Sequence, residues 1–206
     1  MAGIANKKQL VALAESLSKK TRFNKQECEG LLNMYKQYSK VDRTVFRDIL
    51  TTSFEITDDV ILDRVFKAFD RDNDSNINPS EWVQGMSVFL RGNIDEQRQF
   101  CFDVFDMNSD GFITREEMFH LLKHCIVKQQ SDEDADEGVK DIVDIVLKKM
   151  DKDHDARISK ADYWSTVDEE DLLLQAFGQC LPSDRCIRQF TRLFDKNNDQ
   201  QDIIHG

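Results

Sequence analysis

Three segments of the chain share one twelve-residue pattern, and no other feature of the sequence constrains the fold as strongly. The segments are DRDNDSNINPSE at 70–81, DMNSDGFITREE at 106–117 and DKDHDARISKAD at 151–162. Each has oxygen-bearing side chains at loop positions 1, 3 and 5, isoleucine at position 8 and a carboxylate at position 12. Ca²⁺ takes about six to eight oxygen ligands, and this spacing is that of an EF-hand calcium loop. The sequence therefore predicts three calcium sites, each between two helices.

A fourth, degenerate unit precedes these three. Glu117 follows Glu81 by 36 residues. The residue 36 positions before Glu81 is Val45, which would be position 12 of this unit, and Val41 would then be position 8, where the other loops have isoleucine. The loop of this unit, near 36–45, has Asp42 as its only carboxylate, so we expect no Ca²⁺ there. Because EF-hands pair through the backbone at position 8, we expect the first unit to pair with the second and cover its edge.

The predicted fold is all-α, with four EF-hands in two paired, closely packed lobes followed by C-terminal helices. The scarcity of Pro and Gly and the helical spacing of apolar residues favour this class. The N-lobe, 1–91, would hold an N-terminal helix, the degenerate hand and loop 70–81. The C-lobe, 95–166, would hold loops 106–117 and 151–162.

The remaining segment, 167–206, is predicted to form C-terminal helices and a polar tail. Amphipathic helices are expected at 168–177 and 186–194, and the tail from 195 onward. Packing onto the C-lobe and lying across a hydrophobic groove are both open for these helices. The acidic run at 130–138 is predicted to be a solvated loop.

Composition excludes several classes of function. A formal net charge of −11 at pH 7 disfavours nucleic acid and acidic membranes as partners. Five cysteines without a CxxC pair disfavour a disulfide framework and fit a reducing, cytosolic compartment. No apolar run approaches the ~20 residues that span a bilayer. No nucleophile–base pair or phosphate-binding glycine loop appears, so we expect no enzymatic activity.

The geometry of the three loops predicts different affinities. Position 6 normally takes a left-handed backbone, which Gly111 adopts freely but Ser75 and Ala156 adopt at a cost of ~1 kcal/mol or more. At position 12, Asp162 is one methylene shorter than the two glutamates, which favours a tighter shell and competition by Mg²⁺.

The number of ligand carboxylates favours the opposite order. Positions 1, 3, 5 and 12 are all carboxylates in loops 70–81 and 151–162, whereas Asn108 replaces one of them in loop 106–117. We give geometry more weight, because strain must be relieved in every metal-bound state. Loop 106–117 is therefore predicted to be the best Ca²⁺ site and loop 151–162 the weakest, with the most Mg²⁺ competition.

Longer strings resemble a known family. LDRVFKAFDRDND, WVQGMSVFLRG, CFDVFDMNSDGFITREEMFHLLK, DADEGVKDIV and LLLQAFGQCLP, within about 44–183, resemble the calaxin family of ciliary EF-hand proteins of outer-arm dynein. The compact layout with an inactive first hand also resembles the neuronal calcium sensor family. The resemblance implies a calcium sensor in the cytoplasm and cytoskeleton, at the axoneme of cilia or flagella. Such a sensor would bind the dynein heavy chain, other outer-arm or docking components, or microtubules, and would regulate microtubule sliding as Ca²⁺ changes.

The resemblance also assigns metal ligands at positions 1, 3, 5, 7 and 12 of each loop. At position 7 the ligand would be the backbone carbonyl. The residues implied are Asp70, Asp72, Asp74, Asn76 and Glu81, then Asp106, Asn108, Asp110, Phe112 and Glu117, and finally Asp151, Asp153, Asp155, Arg157 and Asp162.

One departure from the sensor pattern concerns membranes. Sensors of this class often carry a myristoylated glycine directly after the initiator methionine, and Ala2 stands at that place here, so we expect no membrane anchor. Two other functions remain open from the sequence: a calcium-sensing regulatory subunit of a phosphatase or kinase, and a cytosolic Ca²⁺ buffer. A sensor exposes an apolar groove when it binds Ca²⁺, whereas a buffer barely opens.

Overall fold

The structure, a computed structural model, describes residues 2–126 and 132–202, with the side chains of residues 7–123 and 136–194. Within these residues the fold is all-α with one short sheet, as the sequence predicts. The α-helices are α1 (Ala2–Ser18), α2 (Lys25–Tyr35), α3 (Arg43–Phe54), α4 (Asp59–Phe69), α5 (Pro79–Arg91), α6 (Ile94–Phe105), α7 (Arg115–Ile126), α8 (Asp132–Met150), α9 (Lys160–Glu169) and α10 (Asp184–Asp202). The strands are β1 (Phe112–Ile113) and β2 (Ile158–Ser159), and a 3₁₀ helix spans Asp171–Gln175.

The chain forms two compact units that do not follow the order of the sequence. Unit one comprises Met1–Glu55, Phe69–Asn93 and Pro182–Gly206, and unit two comprises Ile56–Ala68 and Ile94–Leu181. The units differ from the predicted lobes in two segments. Most of α4 belongs to unit two, where Arg64 donates four hydrogen bonds to backbone carbonyls at the end of α6. Helix α10 belongs to unit one, where its phenylalanines are buried.

In unit one the degenerate hand pairs with loop 70–81 through the backbone, as predicted. The N–H of Ile77 donates to the carbonyl of Val41 at 2.8 Å, and Asp42 and Asn76 form an antiparallel bridge. The carboxylate of Asp42 accepts from the N–H of Val45 at 3.1 Å and so caps the start of α3. The single carboxylate of this loop is therefore used as a helix cap.

The core of unit one is rich in packed phenylalanine rings. The Phe69 ring centroid lies 4.8 Å from that of Phe46 and 5.3 Å from that of Phe89. Gly85 on α5 allows this packing, because a Cβ at that position would lie 2.2 Å from the Phe69 ring. The apolar residues around the loop are therefore core residues in this unit.

Helix α10 covers part of this core. It contacts α2, α3 and α5, with the ring of Phe190 at 4.8 Å from that of Phe54 and the ring of Phe194 at 6.1 Å from that of Phe23. The helix predicted at 186–194 is confirmed. It packs against α2, α3 and α5 in unit one, which differs from packing onto the C-lobe, one of the two placements left open. Residues 195–202, which the sequence analysis describes as part of a polar tail, continue α10 in the structure.

In unit two, β1 and β2 pair loops 106–117 and 151–162. The strands are antiparallel, with Ile113 opposite Ile158. These isoleucines are fully buried, so the pairing also closes the core between the two hands. Position 8 thus has the pairing role that the sequence predicts.

Two local predictions in unit two are wrong. The helix expected at 168–177 is interrupted, because Glu170 is extended at φ −150° and ψ 97°, and only a 3₁₀ helix follows. The loop expected at 130–138 is helical from Asp132, and its first two residues lie outside the described part of the chain. Acidic residues in a first helical turn interact favourably with the helix dipole, and Asp136 also pairs with Lys123 at 2.7 Å.

Among the helices of the described residues, none combines the length and the apolar character needed to cross a bilayer.

Candidate metal centres

The three loops share one backbone conformation. Positions 4 and 6 have positive φ in every loop, which turns the chain tightly around a common point. The φ values are 57° at Asn73, 66° at Ser75, 61° at Ser109, 89° at Gly111, 62° at His154 and 68° at Ala156. The strained position 6 of Ser75 and Ala156 is therefore as predicted, whereas the left-handed position 4 was not foreseen.

The carboxylate at position 1 organises the first half of each loop. Asp106 is only 5% exposed and accepts from the N–H groups of Asp110 and Gly111 at 3.2 and 2.9 Å. Asp70 accepts in the same way from Asp74 and Ser75. These N–H groups hold the carboxylate in place, so the backbone of the loop orients the side chain at position 1.

The glutamate at position 12 closes the loop. One oxygen of Glu117 accepts from the N–H groups of Met107 and Asn108 at 2.8 and 3.1 Å, and the other accepts from the N–H of Thr114 at 2.8 Å. The same carboxylate therefore joins the start of the loop to the start of α7.

Glu81 repeats this arrangement in loop 70–81. It accepts from Arg71 and Asp72 with one oxygen and from Asn78 with the other. Both oxygens of each glutamate thus face the loop, as bidentate binding of Ca²⁺ requires.

Asp162 closes the last loop less completely. Its Oδ1 accepts from the N–H of Lys152 at 3.2 Å, and its Oδ2 accepts from the backbone and the hydroxyl of Ser159. The two glutamates each hold two N–H groups at the loop start, whereas one such bond is found for this shorter side chain. This difference is consistent with the prediction that loop 151–162 is the weakest of the three sites.

Acidic side chains converge in two of the loops. Asp70, Asp72 and Asp74 each offer an oxygen within 4.8 Å of the others. Asp151, Asp153 and Asp155 do the same. Like charges at this separation repel, and a divalent cation removes the repulsion while using the oxygens as ligands. The donor set therefore fits Ca²⁺ in chemistry and spacing.

Loop 106–117 has an amide in place of one of these carboxylates. The amide of Asn108 donates to Asp110 at 2.9 Å, and the side-chain oxygen of Asn108 accepts from the Asp110 N–H, also at 2.9 Å. The amide of Asn108 thus stands where the other two loops have a carboxylate, and it bonds to the carboxylate of Asp110.

The residues at position 7 lie where the loop meets the β pairing. In each loop their N–H donates to the carboxylate at position 5, at 2.7 Å for Asn76, 2.9 Å for Phe112 and 3.1 Å for Arg157. These bonds orient the position-5 side chain. Ligation by the position-7 carbonyls stays a prediction.

Arg157 also makes two side-chain contacts that the loop pattern does not predict. Its guanidinium donates to the carboxylate of Asp155 at 2.7 Å and lies over the ring of Phe112 at 3.6 Å from the centroid. The bond to Arg157 lowers the pKa of Asp155. A cationic side chain thus bonds to one predicted ligand of loop 151–162.

Comparison with known proteins agrees with the loop geometry. The EF-hand domain pair family matches residues 95–166, and the EF hand family matches residues 62–87. Calaxin of Xenopus laevis is 50% identical over 94% of this chain and 99% of its own length. Calaxin of Homo sapiens is 47% identical over 96% and 100%, respectively. A calcineurin subunit of Naegleria gruberi is 29% identical over 77% of this chain and 88% of its own length. The predicted EF-hand fold and its calcium-binding character are confirmed.

Exchanging the residues at position 6 should move the affinities of two loops in opposite directions. Gly111→Ala is expected to weaken Ca²⁺ binding and lower stability by ~1 kcal/mol or more, because φ is 89° there. No atom lies within 4 Å of the added Cβ, so the effect would come from the backbone alone. Ala156→Gly should strengthen its own loop. Calcium titration and thermal unfolding measure both, and effects of the same sign would contradict the strain argument.

Lengthening the last ligand should change the metal preference of loop 151–162. Asp162→Glu is expected to favour Ca²⁺ over Mg²⁺, because the longer side chain can place both oxygens on the larger ion. Competition titrations with the two metals measure the ratio of dissociation constants, and Asp171→Glu, the same substitution at an exposed residue outside the loop, is the control. An unchanged ratio would show that side-chain length does not set the preference.

Proposed function

Because this chain belongs to the calaxin family of EF-hand calcium-binding proteins, we propose that it is a calcium sensor of the outer dynein arm in cilia or flagella. The family is one of calcium-binding proteins and not of enzymes. In the proposed role the protein binds the dynein heavy chain, other outer-arm or docking components, or microtubules, and regulates microtubule sliding as Ca²⁺ changes. The sites of action would be the cytoplasm and the axonemal cytoskeleton.

The observation that carries the sensor proposal is the position-12 carboxylate, which bonds both to the loop and to the start of the exit helix. We propose that loops 70–81, 106–117 and 151–162 each hold one Ca²⁺ and that 36–45 holds none. Bound Ca²⁺ supplies a divalent charge that takes both oxygens of the position-12 side chain. The Glu117 carboxylate would then be shared between the ion and the N–H groups from which it accepts, and the start of α7 would move with it.

Unit two should respond more than unit one, because both of its hands have a full ligand set. Phe102 and Phe105 on α6 are buried there, whereas Phe119 on α7 is half-buried. Phe119 and Val143 line a cavity of 420 Å³ between α7 and α8. A movement of α7 would widen this cavity and offer phenylalanine surface to an amphipathic helix of the partner.

A second candidate function is regulation of a phosphatase or kinase as part of its complex. The likeness to a calcineurin subunit, a protein named as part of an assembly, favours this function over a free buffer. Regulation of a phosphatase or kinase and regulation of dynein both require Ca²⁺ to change the protein surface. Only the identity of the bound partner therefore distinguishes these two functions.

Tryptophan fluorescence tests whether Ca²⁺ changes unit two. The Trp82→Phe variant leaves Trp164 as the single tryptophan of the chain. Trp164 lies near Phe102, with ring centroids 6.0 Å apart, and Lys160 lies 4.7 Å above its ring. We expect its emission and the binding of an apolar dye to change as Ca²⁺ rises from ~10⁻⁷ to ~10⁻⁵ M. Unchanged emission and dye binding at saturation would favour the buffer.

Pull-down from demembranated cilia tests the partner. The tagged protein should retain outer-arm dynein components or tubulin, with a different yield at ~10⁻⁷ and ~10⁻⁵ M Ca²⁺. The triple variant Glu81→Gln, Glu117→Gln, Asp162→Asn should lose this calcium dependence, whereas the exposed-site variant Glu116→Gln should keep it. Recovery of a phosphatase or kinase catalytic chain instead of axonemal proteins would support the second candidate and overturn the dynein role.

A further inference from the structure

A buried arginine holds the start of loop 106–117. Arg64 lies on α4, the helix that precedes loop 70–81, and only 8% of it is exposed. Its guanidinium donates to four backbone carbonyls: Nε to Val104 at 2.9 Å, Nη1 to Met107 at 3.0 Å, and Nη2 to Asp103 and Asp106 at 2.8 and 2.7 Å.

These carbonyls belong to the last turn of α6 and to the first residues of the loop. The last carbonyls of a helix lack partners within the helix and must be satisfied from outside. The planar guanidinium offers five donors in a fixed arrangement, which a lysine ammonium cannot reproduce. Arg64 therefore fixes the direction in which the chain leaves α6.

Both closing carboxylates of the loop depend on the backbone that Arg64 holds. Asp106 is the position-1 ligand, and its own carbonyl is bonded to Arg64. The peptide groups of Met107 are bonded on both sides, since its carbonyl accepts from Arg64 and its N–H donates to Glu117. A shift of this segment would displace the first and the last ligand together.

We propose that Arg64 is a positioning residue for the calcium site of loop 106–117. It acts through the backbone of Asp106 and Met107 and does not touch the ion. The inference rests on the proposed binding of Ca²⁺ by this loop.

The charge of Arg64 has the opposite effect on affinity. Burial lowers the pKa of Arg64, and the nearby charges of Asp106 and Glu117 oppose this shift only in part. A positive charge beside the site repels Ca²⁺, so removing the charge alone would tighten binding. Loss of the hydrogen bonds should therefore weaken Ca²⁺ binding, whereas loss of the charge alone should strengthen it. Substitutions of Arg64 can separate these two effects.

Two variants make that separation. Arg64→Lys keeps the charge but cannot bond to the same four carbonyls, and Arg64→Gln removes the charge as well. Both should weaken Ca²⁺ binding at loop 106–117 by roughly 10–100-fold, the usual effect of losing a group that orients a metal ligand. Arg115→Gln is the control for charge, because Arg115 is an exposed cation on the same loop that pairs with Asp144.

Backbone amides give a separate reading for each loop. The N–H of Gly111 donates to Asp106 at 2.9 Å, and the N–H of Ala156 donates to Asp151 at 2.9 Å. In a ¹H–¹⁵N calcium titration, binding of Ca²⁺ by Asp106 should shift the Gly111 amide resonance, and binding by Asp151 should shift the Ala156 amide resonance. We expect the Ca²⁺ concentration at the midpoint of the Gly111 shift to rise in both Arg64 variants. The corresponding concentration for Ala156 should stay within about twofold of the value in the parent protein.

Three results would overturn the proposal. An unchanged Gly111 midpoint in Arg64→Lys, with a lowered midpoint in Arg64→Gln, would assign the effect to charge. Equal shifts at Gly111 and Ala156 would assign it to general loss of stability. A parent protein whose Gly111 amide does not respond to Ca²⁺ would remove the calcium site itself and with it the basis of this inference. If Arg64→Gln does not fold, Arg64→Lys and Arg115→Gln still decide between positioning and charge.

Discussion

The Glu117→Gln variant is expected to bind Ca²⁺ at loop 106–117 at least ~100-fold more weakly, a loss of about 3 kcal/mol. Four groups donate hydrogen bonds to the Glu117 carboxylate: the N–H of Met107, the N–H of Asn108, and both the N–H and the hydroxyl of Thr114. An amide at this position must direct its own NH₂ at one of these donors. The variant thus loses a ligand charge and also part of the hydrogen bonds that close the loop.

Glu116→Gln is the matched control for this variant. It makes the same chemical change one residue earlier, on an exposed side chain. The Gly111 amide reports the site in both proteins. A Glu117→Gln titration that coincides with that of Glu116→Gln would show that the position-12 carboxylate is not a ligand.

Phe194→Ala is expected to destabilise unit one by ~3–5 kcal/mol and to lower the melting temperature by roughly 10 °C. The Phe194 side chain is fully buried, with its ring against Phe23 and Phe190. Removing it leaves a cavity where α10 meets the N-terminal helices. Because α10 is held there by few elements, we also expect faster hydrogen exchange along the helix.

Leu193→Ala separates packing from helix propensity. Leu193 is 51% exposed on the neighbouring position of the same helix, so its truncation should change the melting temperature little. Equal melting temperatures for the two variants would show that α10 is not bound through its phenylalanines.

The calcium loops could be predicted in detail because their information is local. Coordination fixes which of twelve consecutive residues carry oxygen, and the residue at position 9 caps the following helix, as Asn78 and Ser159 do. The match of Val41 to Ile77 was also found from spacing alone, and the structure pairs these two residues. Metal ligation, helix capping and backbone pairing each involve a fixed position of the repeated unit, so they can be found from spacing along the chain.

The roles of Arg64 and α10 could not be predicted in the same way. The partners of Arg64 are backbone carbonyls 39–43 residues away, and every residue carries such a carbonyl. The apolar face of α10 indicates that it must be buried but does not say against which helices. The interrupted helix after Glu170 depends on one backbone conformation, which the amphipathic pattern of 168–177 does not encode.

Isothermal calorimetry of the full chain with Ca²⁺ tests the central claim most directly. We predict three bound ions with dissociation constants of ~10⁻⁷–10⁻⁵ M, the range of EF-hand sensors. The single variants Glu81→Gln, Glu117→Gln and Asp162→Asn should each remove one ion in this range, whereas Asp42→Asn should remove none. A stoichiometry above three, or the loss of a site in Asp42→Asn, would contradict the assignment of the loops.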